Sequence, residues 1–426
     1  MNATPRVVIV GGGVAGLETA FTLRSHLGGR VELVLIAADR DFLFKPNTVY
    51  IPFGGAEADS RIPLAVPTRR RGIELVCGSL AHVDPHGKHV ELADGTSVPY
   101  DFLVLATGAA MRPEEIPGLA EHARTIWTPA QMRSLGAALD RVRSAAESGT
   151  IPHVLFLVPP GNGYAGPLYE IALMLETWLR RRRLRDRVCV TFATFESSFF
   201  EAFGPRFDRV VRKEFAERGI IGCTGQVVTR VEPNRVVFAN GTARTFDLLI
   251  SFPPHTAAVD YPDLATDERG FLRCEPANRR VLGADEVYAP GDAGDFPIKQ
   301  AFLASLQADA VADDIASRIA PDAVPSPRRF DPVGRCVVEM LGKAAFAQAP
   351  LAVTGEADRP VRVRIDAHGD YLVGISPIWS LGKKVLGRCL PRRFRSGRPL
   401  HWGLPWQTME LGLRGMAKTL APAVKE

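Results

Sequence analysis

Two sets of three glycines carry the spacing with the clearest chemical meaning in this chain. Gly11, Gly13 and Gly16 follow the apolar residues 7–10, and Gly161, Gly163 and Gly166 follow the apolar residues 154–158. In a GxGxxG turn the first glycine permits the tight bend and the second lets the backbone approach a pyrophosphate. The third lets the following helix pack close to the strand, so that its N-terminus faces the phosphates. The first set has the context this chemistry needs. Val14, Ala15 and Gly16 open a segment in which Val14, Leu17, Ala20, Phe21 and Leu27 share one helical face, Gly28 and Gly29 end it, and residues 31–36 form a second strand. Asp39, 23 residues beyond Gly16, is either a hydrogen-bond partner for a ribose or a surface loop acid, since the strand itself ends Ile36-Ala37-Ala38.

The elements that must position these loops occur twice. Residues 90–96 carry an Asp-Gly hairpin turn and residues 236–242 an Asn-Gly one, each followed by a buried-strand run, at 100–104 and 246–250. Every matched position is offset by 146 residues, and the two glycine sets by 150. The expected fold is therefore α/β, with two tandem Rossmann-like dinucleotide-binding domains produced by internal duplication. The expected division is residues 1–112 plus 280–325 for the first domain, 113–279 for the second, and 326–426 for a distinct C-terminal region.

Composition excludes several classes. At 426 residues, with 46% hydrophobic and 23% charged residues and 39 Gly and 33 Pro spread along the chain, disorder and collagen are out. Six cysteines without a CxxC pair exclude a zinc ribbon and a neighbouring-cysteine redox disulfide, and most are expected to be reduced, buried thiols; no metal site is expected. No uncharged apolar run reaches transmembrane length and no cleavable signal precedes the first glycine turn, so a cytoplasmic location is expected. The net charge of +5 is uneven: residues 379–426 hold net +8, leaving −3 for the rest. Within that tail Trp406, Met409, Leu413, Met416 and Leu420 recur at helical spacing, with Trp402 and the cations Lys383, Lys384, Arg388, Arg392, Arg393, Arg395 and Arg398 upstream. A basic, tryptophan-bearing amphipathic helix suits peripheral contact with an anionic membrane face; packing on the body, or on a partner subunit in a homo-oligomer, is the competing use. The arginines at 180–183, 185 and 187 follow a helix and complement its C-terminal dipole, so no nucleic acid is expected.

Two further segments bring in a family resemblance. Ala106-Thr107-Gly108 closes the strand at 100–106, and Ala289-Pro290-Gly291-Asp292 precedes a helix-like run. With the first glycine loop these resemble the flavoproteins built from two dinucleotide-binding domains. There, Asp292 would face the flavin ribityl chain of FAD, while capping the next helix accounts for it equally well. The chain most resembles sulfide:quinone oxidoreductases, through Phe42-Leu43-Phe44-Lys45-Pro46-Asn47, Gly166-Pro167-Leu168-Tyr169-Glu170 and Cys336. That resemblance implies noncovalent FAD, since residues 78–188 hold no cysteine for attachment, and a quinone acceptor. Lys45 joins the FAD set by the same resemblance. The family reduces its flavin with two cysteines, and here Tyr164 stands where the first belongs, so Cys336 alone could form at most a one-thiol adduct.

Tyr164 has a second reading, because GxGYxG resembles the NAD(P)H loop of related flavoproteins, with the tyrosine as a lid and Glu196 as the ribose acid. Pro159, Pro160 and Pro167 weigh against a nucleotide there. Glu170 is either a buried acid near the flavin that delivers protons or a helix-surface acid paired with a basic neighbour. Lys299 and Gln300 open the run that the resemblance places near the flavin pyrimidine and the quinone; an exposed helix start is the alternative. His255, after Phe252-Pro253-Pro254, ends a second-domain strand at a position equivalent to an active-site edge, but is expected to be a solvated loop histidine.

Overall fold

A computed structural model of the chain describes residues 4–356, 360–364, 370–401, 411–412 and 415, apart from the side chains of 58 and 59. The tail positions Trp402, Trp406, Met409, Leu413, Met416 and Leu420 lie outside the described residues.

Two parallel sheets repeat one design. The first contains β1 (Arg6–Val10), β2 (Glu32–Ala37), β3 (Glu74–Cys77), β4 (Phe102–Leu105) and, much later in the chain, β10 (Val287–Tyr288), in the order β10-β4-β1-β2-β3. The second contains β5 (Ala123–Thr125), β6 (His153–Val158), β7 (Cys189–Thr194), β8 (Ile221–Cys223) and β9 (Leu248–Ser251), in the order β5-β9-β6-β7-β8. Val7, Val8 and Ile9 in β1, and Val154 to Val158 in β6, are buried on both faces, as central strands of a covered parallel sheet must be. Each copy also carries the expected meander: residues 80–99 and 228–245 form three-stranded antiparallel sheets whose turns hold Gly95 and Gly241 at φ +86° and +82°.

Helix α1 (Val14–Leu27) follows the first glycine turn and ends at Gly28. It is buried almost all round, Glu18, Thr19 and Thr22 included, because α5 (Ala301–Ile319) covers the side away from the sheet. Helix α2 (Pro129–Glu147) starts with a Thr128–Gln131 capping box; α3 (Gly166–Arg181) follows the second glycine turn, and α4 (Gly204–Glu217) lies between β7 and β8. The arginines after α3 serve structure. Arg180 pairs with Glu176, while Arg185 bonds the carbonyls of Val188, Arg218 and Gly219.

The C-terminal region is an antiparallel sheet of β11 (Val333–Glu339), β12 (Ala344–Val353), β13 (Val361–Val363) and β14 (Leu372–Ser376), backed by α6 (Pro377–Arg395). Trp379 is core, stacked on Phe346 at 4.5 Å, because it faces the sheet from the first turn of α6. The outward side of α6 carries exposed Ile378, Leu381 and Val385, then Lys384, Arg388, Arg392 and Arg395. No helix among the described residues is long and apolar enough to cross a membrane. Beyond α6 the chain docks on the first domain: the Leu400 N–H reaches both oxygens of the buried Glu18 carboxylate, at 2.7 and 2.8 Å, and His401 meets Asp309. Arg328, 3.2 Å from Asp309, supplies a cation to this group of acids.

Candidate functional site: a dinucleotide cradle and a buried polar chain

The first glycine loop is tight where it must turn and open where it must bind. Gly11 has φ +122°, and a Cβ there would lie 2.2 Å from the Ala106 carbonyl; a Cβ on Gly16 would lie 1.9 Å from the Gly11 carbonyl. Only glycine allows that approach of β4, turn and helix. Gly13, the N-cap of α1, has nothing within 4 Å of its Cβ position. The first N–H groups of α1 therefore face open space beside it. Ala15, Ala106 and Ala304 pack together beneath, where a Cβ on Gly291 (φ +78°) would lie 3.0 Å from the Ala15 Cβ. Thr107 is hydrogen-bonded to Tyr261, and Gly108 has φ +82°. Asp39 is exposed just beyond β2.

Asp292 follows Gly291 and accepts no hydrogen bond from the described residues. Burial pushes its carboxyl up, and the charges of Lys299 and Lys45 oppose that. The Lys45 Nζ stands 3.3 Å from the Trp127 ring centroid. Lys45 keeps accessible surface although protein surrounds it, as a side chain lining a cleft does, and burial brings its ammonium down to about 8. Lys299 is likewise about 8 for the same reason; it donates to the Gly294 carbonyl at 2.6 Å and lies 3.5 Å from the Phe271 ring centroid. Gln300, the N-cap of α5, donates to the Arg335 carbonyl at 3.0 Å while its own buried Oε1 has no partner. Both are buried, so the exposed-helix-start alternative is set aside.

These features fit FAD. The open backbone at Gly13 and the start of α1 would hold its pyrophosphate; Asp292 offers an acceptor for hydroxyls, and Gln300 Oε1 is a buried acceptor without a donor.

The second glycine loop differs. A Cβ on Gly163 would lie 2.7 Å from the Lys299 side chain and 3.2 Å from the Pro297 carbonyl, so this crest is packed against protein. The Tyr164 ring folds back over Gly166, with its hydroxyl facing Gln300 and Cys336. His255 is buried, which corrects the expectation of a solvated loop residue. Its Nδ1 accepts the Gly163 N–H at 3.0 Å, and Trp127 and Phe252 pack around the ring, because the strand end carrying it turns beneath the loop. Burial brings its imidazole down to about 3, so the ring is neutral. Glu196 is engaged by the Tyr169 and Thr194 hydroxyls at 2.6 and 2.8 Å and by the Glu201 N–H at 3.1 Å.

Tyr164 and Cys336 thus come together from domains far apart in sequence. Burial pushes both the phenol and the thiol up, so both stay protonated. Of the six free cysteines only Cys274 and Cys336 are buried; Cys77 and Cys389, on a strand end and on the outer side of α6, are exposed, contrary to the expectation for most of them.

Behind this pair runs a chain of buried polar groups. Glu170, on α3, is 6% exposed and pairs with Lys383 of α6, while its Oε1 also accepts the Glu339 N–H at 3.1 Å. It is therefore buried and paired at once, which combines the two alternatives read from sequence. Burial raises its carboxyl and Lys383 opposes the shift. The Lys383 Nζ donates to the Val337 carbonyl at 3.0 Å. Glu339, fully buried, accepts from Ser380 at 2.8 Å and from Tyr50 at 3.2 Å. Lys383, Glu339, Tyr50 and Trp127 were missed from sequence. Lys383 falls in the basic run of the tail, although its four-residue spacing from Trp379 places it on the inward face, and an acid within the apolar run Val337-Val338-Glu339-Met340 is itself a sign of a buried partner.

Comparison with known proteins agrees with this geometry. Residues 5–308 match the family of pyridine nucleotide-disulphide oxidoreductases. Among curated proteins, the chain is 29% identical to the sulfide-quinone reductase of Aquifex aeolicus over 282 residues, 65% of this chain and 63% of that protein. It is 24% identical to the NADH dehydrogenase-like protein YutJ of Bacillus subtilis over 368 residues, 84% of this chain and 95% of that one. The matched region thus spans somewhat less than two thirds of the Aquifex relative. Among solved structures, the sulfide:quinone oxidoreductase of Aquifex aeolicus superposes with a TM-score of 0.84 at 22% identity, covering 96% of each chain. The chain belongs to the pyridine nucleotide-disulphide oxidoreductase family and has its FAD-binding fold of two dinucleotide-binding domains.

Proposed function

We propose that the protein is an FAD-dependent oxidoreductase that takes two electrons from a reductant and passes them to a quinone at a membrane surface, without the paired-cysteine chemistry of sulfide oxidation. The observation that carries this reading is a buried polar cluster beneath α6, in which the Glu170–Lys383 pair meets the Tyr50–Glu339 pair through the Glu339 N–H, while the outward side of α6 bears Ile378, Leu381 and Val385 followed by four cations. A quinone needs protons as well as electrons, and the Glu170–Lys383 pair, in which burial raises the carboxyl and the lysine opposes the shift, is an exchangeable proton site in an apolar setting. The exposed apolar and basic side of α6 suits peripheral contact with an anionic bilayer.

FAD, when bound, supplies the two-electron store. The chain's own residues bind and orient it and control charge and protons: Gly11, Gly13, Val14, Ala15 and Gly16 present the turn and first helical N–H groups, Ala106, Thr107, Gly108 and Asp292 close the cradle, and Lys45 and Lys299 offset negative charge. Lys299 and Gln300 stand on the quinone side, with Cys336 and Tyr164 beside them. A cysteine must be a thiolate to attack, and the protonated Cys336 beside a phenol lacks both the charge and the second sulfur.

The likeness to an NADH dehydrogenase-like protein over 84% of the chain favours a second reading, in which NAD(P)H is the donor and Tyr164 a lid. Anaerobic stopped-flow separates the two. The first reading expects slow or no flavin bleaching by sulfide and by NADH or NADPH, and rapid reoxidation of chemically reduced flavin by a short-chain ubiquinone analogue. Rapid bleaching by NADH supports the second reading, rapid bleaching by sulfide refutes the argument from Tyr164, and inertness toward quinone leaves a flavin-binding scaffold or sensor.

A further inference from the structure

The C-terminal end of α6 is seated on the first domain. Phe394 is buried, with its ring centroid 4.8 Å from that of Phe42. Gly397 (φ +69°) has no room for a side chain, since a Cβ there would strike the Arg71 side chain and lie 3.3 Å from the Pro67 carbonyl. This seat joins two arginine-rich parts of the chain. The short helix Ala65–Arg70 ends in Arg69 and Arg70, and the Arg70 guanidinium donates to the Arg395 carbonyl at 3.3 Å, across 325 residues of sequence.

Arg69, Arg70, Arg392, Arg395 and Arg398 are all exposed, and none has an ion-pair partner among the described residues. Neither segment supplies one, because residues 61–73 and 371–401 contain no Asp or Glu. Like charges at helical spacing, as at Arg388 and Arg392 or Arg392 and Arg395, destabilise a helix. The cluster therefore strains the isolated protein and gains from an anionic surface laid against it. The same stripe of α6 begins apolar. Ile378, Leu381, Val385, Arg388, Arg392 and Arg395 follow at steps of three and four residues over about 25 Å, and the first three are exposed. A soluble polyanion such as a nucleic acid would engage the arginines and leave the apolar half idle. A bilayer engages both halves, the first with hydrocarbon and the second with phosphates.

We propose that Arg69 and Arg70 of the first domain share one docking surface with α6, on which the apolar half of the helix enters an anionic bilayer while the arginines of both segments rest on its phosphates. This rests on the membrane reading above and deepens it by adding a contact from the FAD-binding domain itself. A body held by the C-terminal region alone can turn on its anchor. One held by two elements from different domains meets the bilayer in a single orientation.

Flotation of the FAD-loaded full chain with vesicles tests it, using phosphatidylcholine alone and an equimolar mixture with phosphatidylglycerol. The parent is expected to float with the mixed vesicles. Arg69→Gln/Arg70→Gln should weaken that partitioning about tenfold or more, and Arg69→Lys/Arg70→Lys should keep it within about twofold. Arg124→Gln/Arg273→Gln removes the same charge from exposed sites outside both segments and should weaken it less than about threefold. Leu381→Asp should weaken it about tenfold or more. A parent that ignores the mixed vesicles overturns the membrane reading and this proposal with it. Parent binding that Arg69→Gln/Arg70→Gln leaves within about twofold, that the lysine variant loses as well, or that Arg124→Gln/Arg273→Gln weakens equally overturns the proposal alone, leaving α6 as the contact. Binding unaffected by Leu381→Asp would assign the face to soluble polyanions. A dimer in sedimentation that Arg69→Gln/Arg70→Gln dissolves would assign it to a second copy, and either result overturns the proposal.

Discussion

Two glycines three residues apart should fail in opposite ways. A Cβ at Gly16 would sit 1.9 Å from the Gly11 carbonyl oxygen and 3.1 Å from its carbon, backbone atoms that can yield only if α1 moves off the turn. Overpacking of this kind costs about 1–3 kcal/mol, so Gly16→Ala should destabilise the apoprotein markedly. Gly13 has φ −83° and ψ −171°, an extended conformation open to any residue, and no neighbour within 4 Å of its Cβ position. Gly13→Ala should therefore cost the apoprotein less than about 1 kcal/mol, the preference for glycine over alanine at an N-cap. Its methyl group would project into the space before the first N–H groups of α1, where it would push a phosphate outward. Losing one charge-assisted hydrogen bond costs about 1.5–3 kcal/mol, or roughly ten- to hundredfold in FAD affinity. Urea unfolding of flavin-stripped protein and FAD titration by fluorescence quenching measure the two quantities. If Gly13→Ala binds FAD within about twofold of the parent, or loses as much apoprotein stability as Gly16→Ala, the assignment of the first loop as a phosphate cradle is wrong.

Other residues give sharper single readings. Lys383→Met leaves Glu170 buried without its cation and should cost about 3–5 kcal/mol, most of it regained in Glu170→Gln/Lys383→Met; equal losses in single and double variants would show that the pair is not coupled. Native protein treated with iodoacetamide at pH 8 should be labelled at the exposed Cys77 and Cys389 and spared at Cys336, with peptide mass spectrometry as the readout; early Cys336 labelling would contradict a buried, protonated thiol. Asp313 gives a pH signature. Burial alone would raise its carboxyl, but hydrogen bonds from Arg328 and His26 outweigh that and hold it well below the usual range. Its contribution is therefore complete above the unfolded value of about 3.9 and is lost as pH falls below it. Asp313→Asn should flatten the acid limb of the stability curve below about pH 4, and an unchanged limb would remove Asp313 from the account.

The fold was legible because it repeats local signals. Strand, glycine turn and helix, then an Asp-Gly or Asn-Gly hairpin before a buried strand, each depend on neighbouring residues, and the 146-residue offset made one copy evidence for the other. The site was legible only where motif and position coincide, as at Gly11, Gly16 and Asp292. His255 was misjudged because its burial comes from Trp127 and Phe252 folding around it, a tertiary fact with no local signature. Lys383 and Glu339 were missed for the same reason: a lysine in a run of cations reads as solvated until the sheet beneath α6 is in place, and Glu170 lies 213 residues from Lys383.

The duplication also shows why a shared motif does not imply a shared ligand. Both loops keep the three glycines, so both strands turn into their helices by the same path. At Gly13 the crest faces open space, whereas at Gly163 it meets Lys299 and Pro297, residues of the connection into α5 in the first domain. That lysine lies between the two copies: it sits close to Asp292 on one side and fills the place of a phosphate on the other. Truncating it separates the two effects. Lys299→Ala should weaken FAD binding by removing a cation near Asp292, while opening the Gly163 crest to an anion for the first time. NADH binding that appears in Lys299→Ala and is absent in the parent would show that the second cradle was closed by occupation rather than by loss of its backbone. If the variant still ignores NADH, the side chain of Lys299 is not what closes the second cradle, and the Pro297 carbonyl that remains 3.2 Å from the Gly163 Cβ position is the next barrier to test.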